Sequence, residues 1–365
     1  MKIALIALGS GTLLLSCGGS TQSCSNTCSH VAATQCSGPQ VQTCTADANG
    51  CLSLSAASSC PAGQSCSPDK NSCQADTCDG VAVTAGCGTW ATRTSMPTAR
   101  EHLGAVALGG KVYCIGGALR VNGNSGTNKV EVYDPVTDVW TTKANPPYPI
   151  LDRFKIAAPG NGRVYLFRDD WTLEYDPAAD TWITTKAVMP TPRQDFTVSS
   201  AGGKVYVIGG STAPYTNGAS LQVVEAYDPA ANSWSSKPQI PTAVQFTAAA
   251  TINTVIYVIA SSSLLAFDTS TNVWSTKAPS PVSSGADLAA VAVGRKAYFW
   301  DNLNGTQFFA YDPSTNAFRA LAPRPTKRFW SGSDTTDGKI YVIGGETNSG
   351  SQTAEVSSLV EQFTP

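Results

Sequence analysis

One spacing recurs through residues 89–365 and leaves few folds open. A β-branched or aromatic run closes on a tyrosine six times, at Tyr113, Tyr165, Tyr206, Tyr257, Tyr298 and Tyr341. A second marker follows each: Tyr133-Asp134-Pro135, Tyr175-Asp176-Pro177, Tyr227-Asp228-Pro229, Phe267-Asp268-Thr269, Tyr311-Asp312-Pro313 and Phe363-Thr364-Pro365. Five markers lead, seven residues past their aromatic, to Trp140, Trp182, Trp234, Trp274 or Phe318. Self-similarity at about 40–52 residues is the signature of stacked structural repeats. Each unit has room for four short strands and no core of its own, so its apolar faces must be buried by neighbouring units.

Turn chemistry supports strands. Gly109-Gly110, Asn161-Gly162, Gly202-Gly203 and Asp337-Gly338 fall just before the tyrosine runs, and such pairs tolerate the positive φ of two-residue hairpins. Three runs end in a double glycine, at Gly116-Gly117, Gly209-Gly210 and Gly344-Gly345, which frees the backbone where units crowd. The combination resembles the kelch repeat and implies an all-β, six-bladed kelch β-propeller. The last repeat stops after its third-strand marker, while an orphan Gly88-Thr89-Trp90 followed by Met96-Pro97 precedes the first. The strand near Trp90 is therefore expected to complete the last blade and hide its open edge. Residues 89–365 are the propeller on this reading.

Residues 1–16 read as a secretory signal, with Lys2 ahead of an apolar run from Ile3 to Leu15 that is too short to span a bilayer. Leu14-Leu15-Ser16-Cys17 resembles a bacterial lipobox, which implies acylation of Cys17 and a membrane anchor. Gly18 rather than Asp follows, and in a Gram-negative host that resemblance implies an outer-membrane or cell-surface lipoprotein. Residues 17–88 hold ten further cysteines, Cys24, Cys28, Cys36, Cys44, Cys51, Cys60, Cys66, Cys73, Cys78 and Cys87. An even ten beside few large apolar residues suggests a small disulfide-rich module or spacer of open connectivity. No C-x2-C pair favours zinc. Cys114 stands alone in a strand-like run and reads as a buried free thiol. Net charge is −2 with only 14% charged residues, so nothing marks a nucleic-acid partner.

The loops between second and third strands span 20, 10, 21, 10, 13 and 22 residues, counted from tyrosine to following aromatic. They share one face with the links that enter each blade, and by resemblance to ligand-binding kelch propellers that mouth holds the site. An arginine recurs in the links, at Arg100, Arg153, Arg193 and Arg328, either as a ligand group or as a brace to a carboxylate. Two residues on lie His102, Asp195, Phe246, Asp287 and Trp330, with Phe154 or Lys155 in blade 2. Asp170 and Glu346 follow second strands. The candidate ligand residues are therefore Arg100, His102, Arg153, Asp170, Arg193, Asp195, Asp287, Arg328, Trp330 and Glu346. Their mixture suits a protein or carbohydrate partner and implies no cofactor and no resident metal. With two histidines in the chain, copper-radical chemistry lacks its ligands, and a binding role is expected over catalysis. The enzymatic alternative resembles sialic-acid mutarotases and needs a carboxylate acid/base with an arginine to hold a sugar carboxylate.

Overall fold

The computed structural model describes residues 87–365 apart from 120–124, 151–153, 213–217, 284, 286, 302–304 and 349–353. Before residue 87 it describes only the strand segments 34–37, 40–46, 52–54, 58–59, 64–67, 72–78 and 81–83. The signal segment, Cys17, Cys24, Cys28, Cys51, Cys60 and Arg153 lie outside the described residues.

Two compact units divide the chain, residues 1–86 and 87–365. In the first, Gln40–Ala46 pairs with Thr34–Ser37, Leu52–Leu54 and Ser58–Ser59, and Ser72–Cys78 pairs with Gln64–Ser67 and Val81–Val83. Gln40–Ala46 and Leu52–Leu54 pair antiparallel, with Ala46 opposite Leu52. Cys44 and Cys87 are each engaged in a disulfide.

The second unit holds six antiparallel four-stranded sheets. The innermost strands are Gly104–Leu108, Lys155–Ala157, Thr197–Ala201, Ala249–Ile252, Leu288–Val293 and Gly332–Thr336 in blades 1 to 6. Blades 1 to 5 run inside to outside in chain order. Blade 6 takes its outermost strand, Thr89–Arg93, from the start of the unit, paired so that Trp90 sits opposite Phe363. Type I′ geometry explains the hairpin glycines: Gly109 and Gly110 have φ of 60° and 77°.

The core is divided among the blade interfaces. Among the described residues there are six separate apolar clusters, each drawing on two adjacent blades. Every second-strand tyrosine packs on the third-strand aromatic of the next blade: Tyr113 on Tyr175, Tyr165 on Tyr227, Tyr206 on Phe267, Tyr257 on Tyr311, Tyr298 on Phe363 and Tyr341 on Tyr133, at 5.3–6.4 Å between centroids. Each such pair adds about 0.5–1.5 kcal/mol beyond its area burial, so the ring of six closes cooperatively. Cys114 is a free thiol, wholly buried in the cluster between blades 6 and 1, where burial pushes its pKa up to about 12.

Candidate functional site

The links entering the blades rise to one rim of the central channel and turn there through a left-handed residue. His102, Asp195, Phe246 and Trp330 have φ of 53°, 55°, 50° and 50°. Holding a bulky side chain in that region costs on the order of 1–3 kcal/mol, and a surrounding lattice of hydrogen bonds has to over-determine it. That lattice is present. Glu101, Gln194 and Phe329, one residue earlier, exchange paired backbone bonds of 2.8–3.1 Å with Ala118, Ser211 and Glu346. The rim residues then bond from blade to blade. His102 N–H donates to the Trp330 carbonyl, Phe246 N–H to that of Asp195, and Gly285 N–H to that of Phe246, at 2.9–3.0 Å. Trp330 N–H donates to Asp287 Oδ2 at 2.7 Å.

Within the rim lies a cavity of about 470 Å³. His102 and Trp330 stack at 4.6 Å and 17° on one side, and Phe246, Asp195, Asp287 and Lys155 line the rest. Lys155 lines the cavity, which the innermost strands of the blades surround. Burial pushes its ammonium pKa down, more than the charges of Asp195 and Asp287 push it up. Among the described residues, flat apolar surfaces, one cation and two carboxylates face one space, which suits an amphipathic ring with polar substituents.

The sequence-predicted residues divide sharply. His102, Asp195, Asp287 and Trp330 meet at the cavity. Arg100, Arg193 and Arg328 do not reach it and are no more than 2% exposed. Arg100 pairs with Glu131 at 2.7 Å, Arg193 with Glu225 at 2.5 Å and Arg328 with Glu361 at 2.8 Å. Each also donates to a second-strand carbonyl, that of Cys114, Val207 or Val342, so these guanidinium groups brace blades rather than hold ligand. Arg153 lies outside the described residues. Ile150 takes the corresponding place in blade 2, its carbonyl accepting from Gly117 N–H as the Arg100 carbonyl accepts from Gly345 N–H. Glu346 is buried behind the rim, and Asp170 sits in the blade 2 turn, away from the cavity lining.

The sequence count leaves Phe154 and Lys155 as alternatives for the blade 2 rim position, and the strand pairing gives Lys155 a different place facing the same cavity. Ala157 lies opposite Tyr165, so Lys155, two residues before it, stands where the other blades have Gly104, Thr197, Ala248, Ala289 and Gly332.

Two stretches, residues 99–147 and 192–240, match the Kelch motif family model. The chain is similar to Kelch-like protein 25 of Xenopus tropicalis, 27% identical over 260 residues, covering 64% of this chain and 42% of that one. It is similar to Kelch-like protein 35 of Mus musculus, 27% identical over 240 residues, 62% of this chain and 40% of that one. Kelch-like protein terF of Aspergillus terreus is 23% identical over 307 residues, 73% of this chain and 64% of that one. The chain thus spans about two fifths of the length of the two animal relatives. Among solved structures, that titled "Structure of YjhT" aligns with a TM-score of 0.63 at 15% identity, covering 75% of this chain and 97% of the other. Matching motifs, relatives and blade architecture agree: this chain carries kelch motifs on a six-bladed β-propeller and is similar to the kelch-like proteins.

Proposed function

We propose that this chain is an exported binding module, anchored to a membrane through acylated Cys17, spaced from it by a disulfide-laced segment, and capturing a protein or carbohydrate ligand at the rim cavity. The observation that carries the binding role is the inward-facing group of His102, Phe246 and Trp330, three large rings held in a costly backbone conformation around an open cavity. Disulfide-bonded Cys44 and Cys87 support an oxidising compartment, and the Leu14–Cys17 motif supports the anchor.

Thermal-shift screening against sugars, peptidoglycan fragments and peptides tests the reading. A stabilising ligand should lose its effect in Phe246→Asn and Trp330→Asn, which keep a residue tolerant of the left-handed region. An unchanged shift in both would remove the cavity from the function. Palmitate incorporation abolished by Cys17→Ser tests the anchor.

A sugar-active reading is favoured by the two carboxylates facing the cavity, Asp195 and Asp287. Arg100 and Arg328 are committed to Glu131 and Glu361, and among the described residues Lys155 is the cation that lines the cavity and could meet an anionic sugar. Faster mutarotation of sialic acid by NMR, lost in Asp195→Asn or Asp287→Asn, would establish that reading.

A further inference from the structure

The placement of Lys155 sets it apart from the lysines of the blade hairpins. Lys111 and Lys204 are paired with Asp134 and Asp228 at 2.8 and 2.7 Å. Lys155 has no such ion pair among the described residues, although it stands in a space with two carboxylates. It begins the innermost strand of blade 2, and it lines the cavity together with His102, Phe246 and Trp330. A lysine in such a desolvated site loses part of the hydration that keeps an amine protonated, and the neutral amine is the nucleophilic form.

We infer that Lys155 is a reactive amine that captures a carbonyl compound bearing a flat ring, an aromatic aldehyde being the simplest case, as a Schiff base. This rests on the cavity being the binding site. The ring of the ligand lies against the faces presented by His102, Phe246 and Trp330 while its carbonyl carbon meets Nζ. The Nζ lone pair forms the C–N bond as the carbonyl π pair moves to oxygen, and one N–H proton follows to give the carbinolamine. The C–O bond then breaks, the remaining N–H proton leaves with the hydroxyl, and the C=N bond forms. Both Nζ hydrogens and the carbonyl oxygen depart as one water, so no redox partner is needed. Asp195 and Asp287 are the cavity carboxylates able to carry those protons.

The test treats the full chain with benzaldehyde and sodium cyanoborohydride near neutral pH and follows each lysine by peptide mass spectrometry. Lys155 should be alkylated at least about tenfold faster than exposed Lys129 and Lys327. Lys155→Met and Lys155→Arg should each remove the fast phase, and Trp330→Asn should slow Lys155 toward the surface rate. A Lys155 rate equal to or below that of Lys129 in the folded wild-type chain would overturn the inference. If the thermal-shift ligand still binds in that case, the amine chemistry alone has failed. If neither occurs, the cavity reading falls with it.

Discussion

Blades 1, 3 and 6 and blades 2 and 4 solve one packing problem by opposite chemistry. In the first group the link residue is Arg100, Arg193 or Arg328, and the facing third-strand residue is Glu131, Glu225 or Glu361. In the second the same two places hold Ile150 with Leu173 and Val244 with Leu265, each pair inside one apolar cluster. The ionic blades are also those with double glycines and long loops. A Cβ at Gly117 would come within 2.5 Å of the Glu101 carbonyl, and one at Gly210 within 2.6 Å of the Gln194 carbonyl. The glycines let the loop leave the second strand against the link, and the guanidinium ties the two together through carbonyls such as Gly209 and Gly344. Short turns need no such tie. Blade 2 turns directly at Asp169-Asp170, and blade 4 at Ser261-Ser262. The ionic brace is thus coupled to the loops that surround the mouth, and it positions the rim without touching ligand.

The largest expected effect comes from breaking one brace. Glu225→Leu leaves Arg193 buried without its counter-charge, which should cost about 3–5 kcal/mol in denaturant unfolding. Arg193→Val with Glu225→Leu copies the Val244–Leu265 arrangement of blade 4, and should lose less than the single substitution despite the carbonyls left bare. A double variant less stable than Glu225→Leu would show that the two blade types are not interchangeable solutions. The same double variant should bind ligand more weakly than its stability predicts, because the link carrying Asp195 is no longer tied down.

The comparison also shows what the sequence could reveal. Strand count and blade number were legible because tyrosine, Asp-Pro and tryptophan recur at fixed offsets, and each aromatic has a packing duty that tolerates little change. The rim positions were legible for the same reason, being a fixed distance from those markers. The role of the arginines was not, since an Arg two residues before a rim position fits ligand or brace equally well until Glu131, Glu225 and Glu361 are seen opposite. Those glutamates are visible two residues before Tyr133, Tyr227 and Phe363, and their absence from blades 2, 4 and 5 was the available signal. Lys155 stands two residues past the rim register, where the other blades have Gly104, Thr197, Ala248, Ala289 and Gly332, so the fixed offset that found the rim did not single it out. Electrostatic burial of Asp334 had no sequence signature at all.

Asp334 gives the next effect in size. It lies opposite Tyr341, where the other blades put Val106, Ala157, Ser199, Ala250 and Val291. Burial raises its pKa to about 6, against the opposing bonds from Ala107 and Thr335 N–H. The folded state therefore binds its proton more tightly than the unfolded chain does. Its unfavourable contribution is absent below pH 4, grows as pH rises through 4 to 6, and is complete above that. Asp334→Asn keeps an acceptor for Ala107 N–H and should stabilise the protein at pH 8 by about 1–3 kcal/mol, with little change at pH 4. Equal effects at both values would deny that ionisation is the cause.

The smallest effect concerns a clasp on the outer turns that blade 4 lacks. Tyr133, Tyr175, Tyr227 and Tyr311 donate their hydroxyls to Asp138, Asp180, Asn232 and Asn316, five residues on. The same acceptors take a backbone N–H from an inter-blade link, that of Thr94, Ala144, Ala187 or Ala278. In blade 4 the ring is Phe267, which has no hydroxyl, and the link residue whose carbonyl accepts from Trp274 Nε1 is Pro238, which has no N–H. Asn272 keeps the left-handed turn at φ 58° with both donors gone. Phe267→Tyr should restore one bond to Asn272 and raise stability by about 0.5–1.5 kcal/mol, and adding Pro238→Ala should contribute the second. Hydrogen exchange at the 269–272 turn is the sensitive measurement, since the gain should appear there as slower local opening. A turn that exchanges at the same rate in Phe267→Tyr would mean that the clasp is a consequence of the turn geometry and not one of its causes.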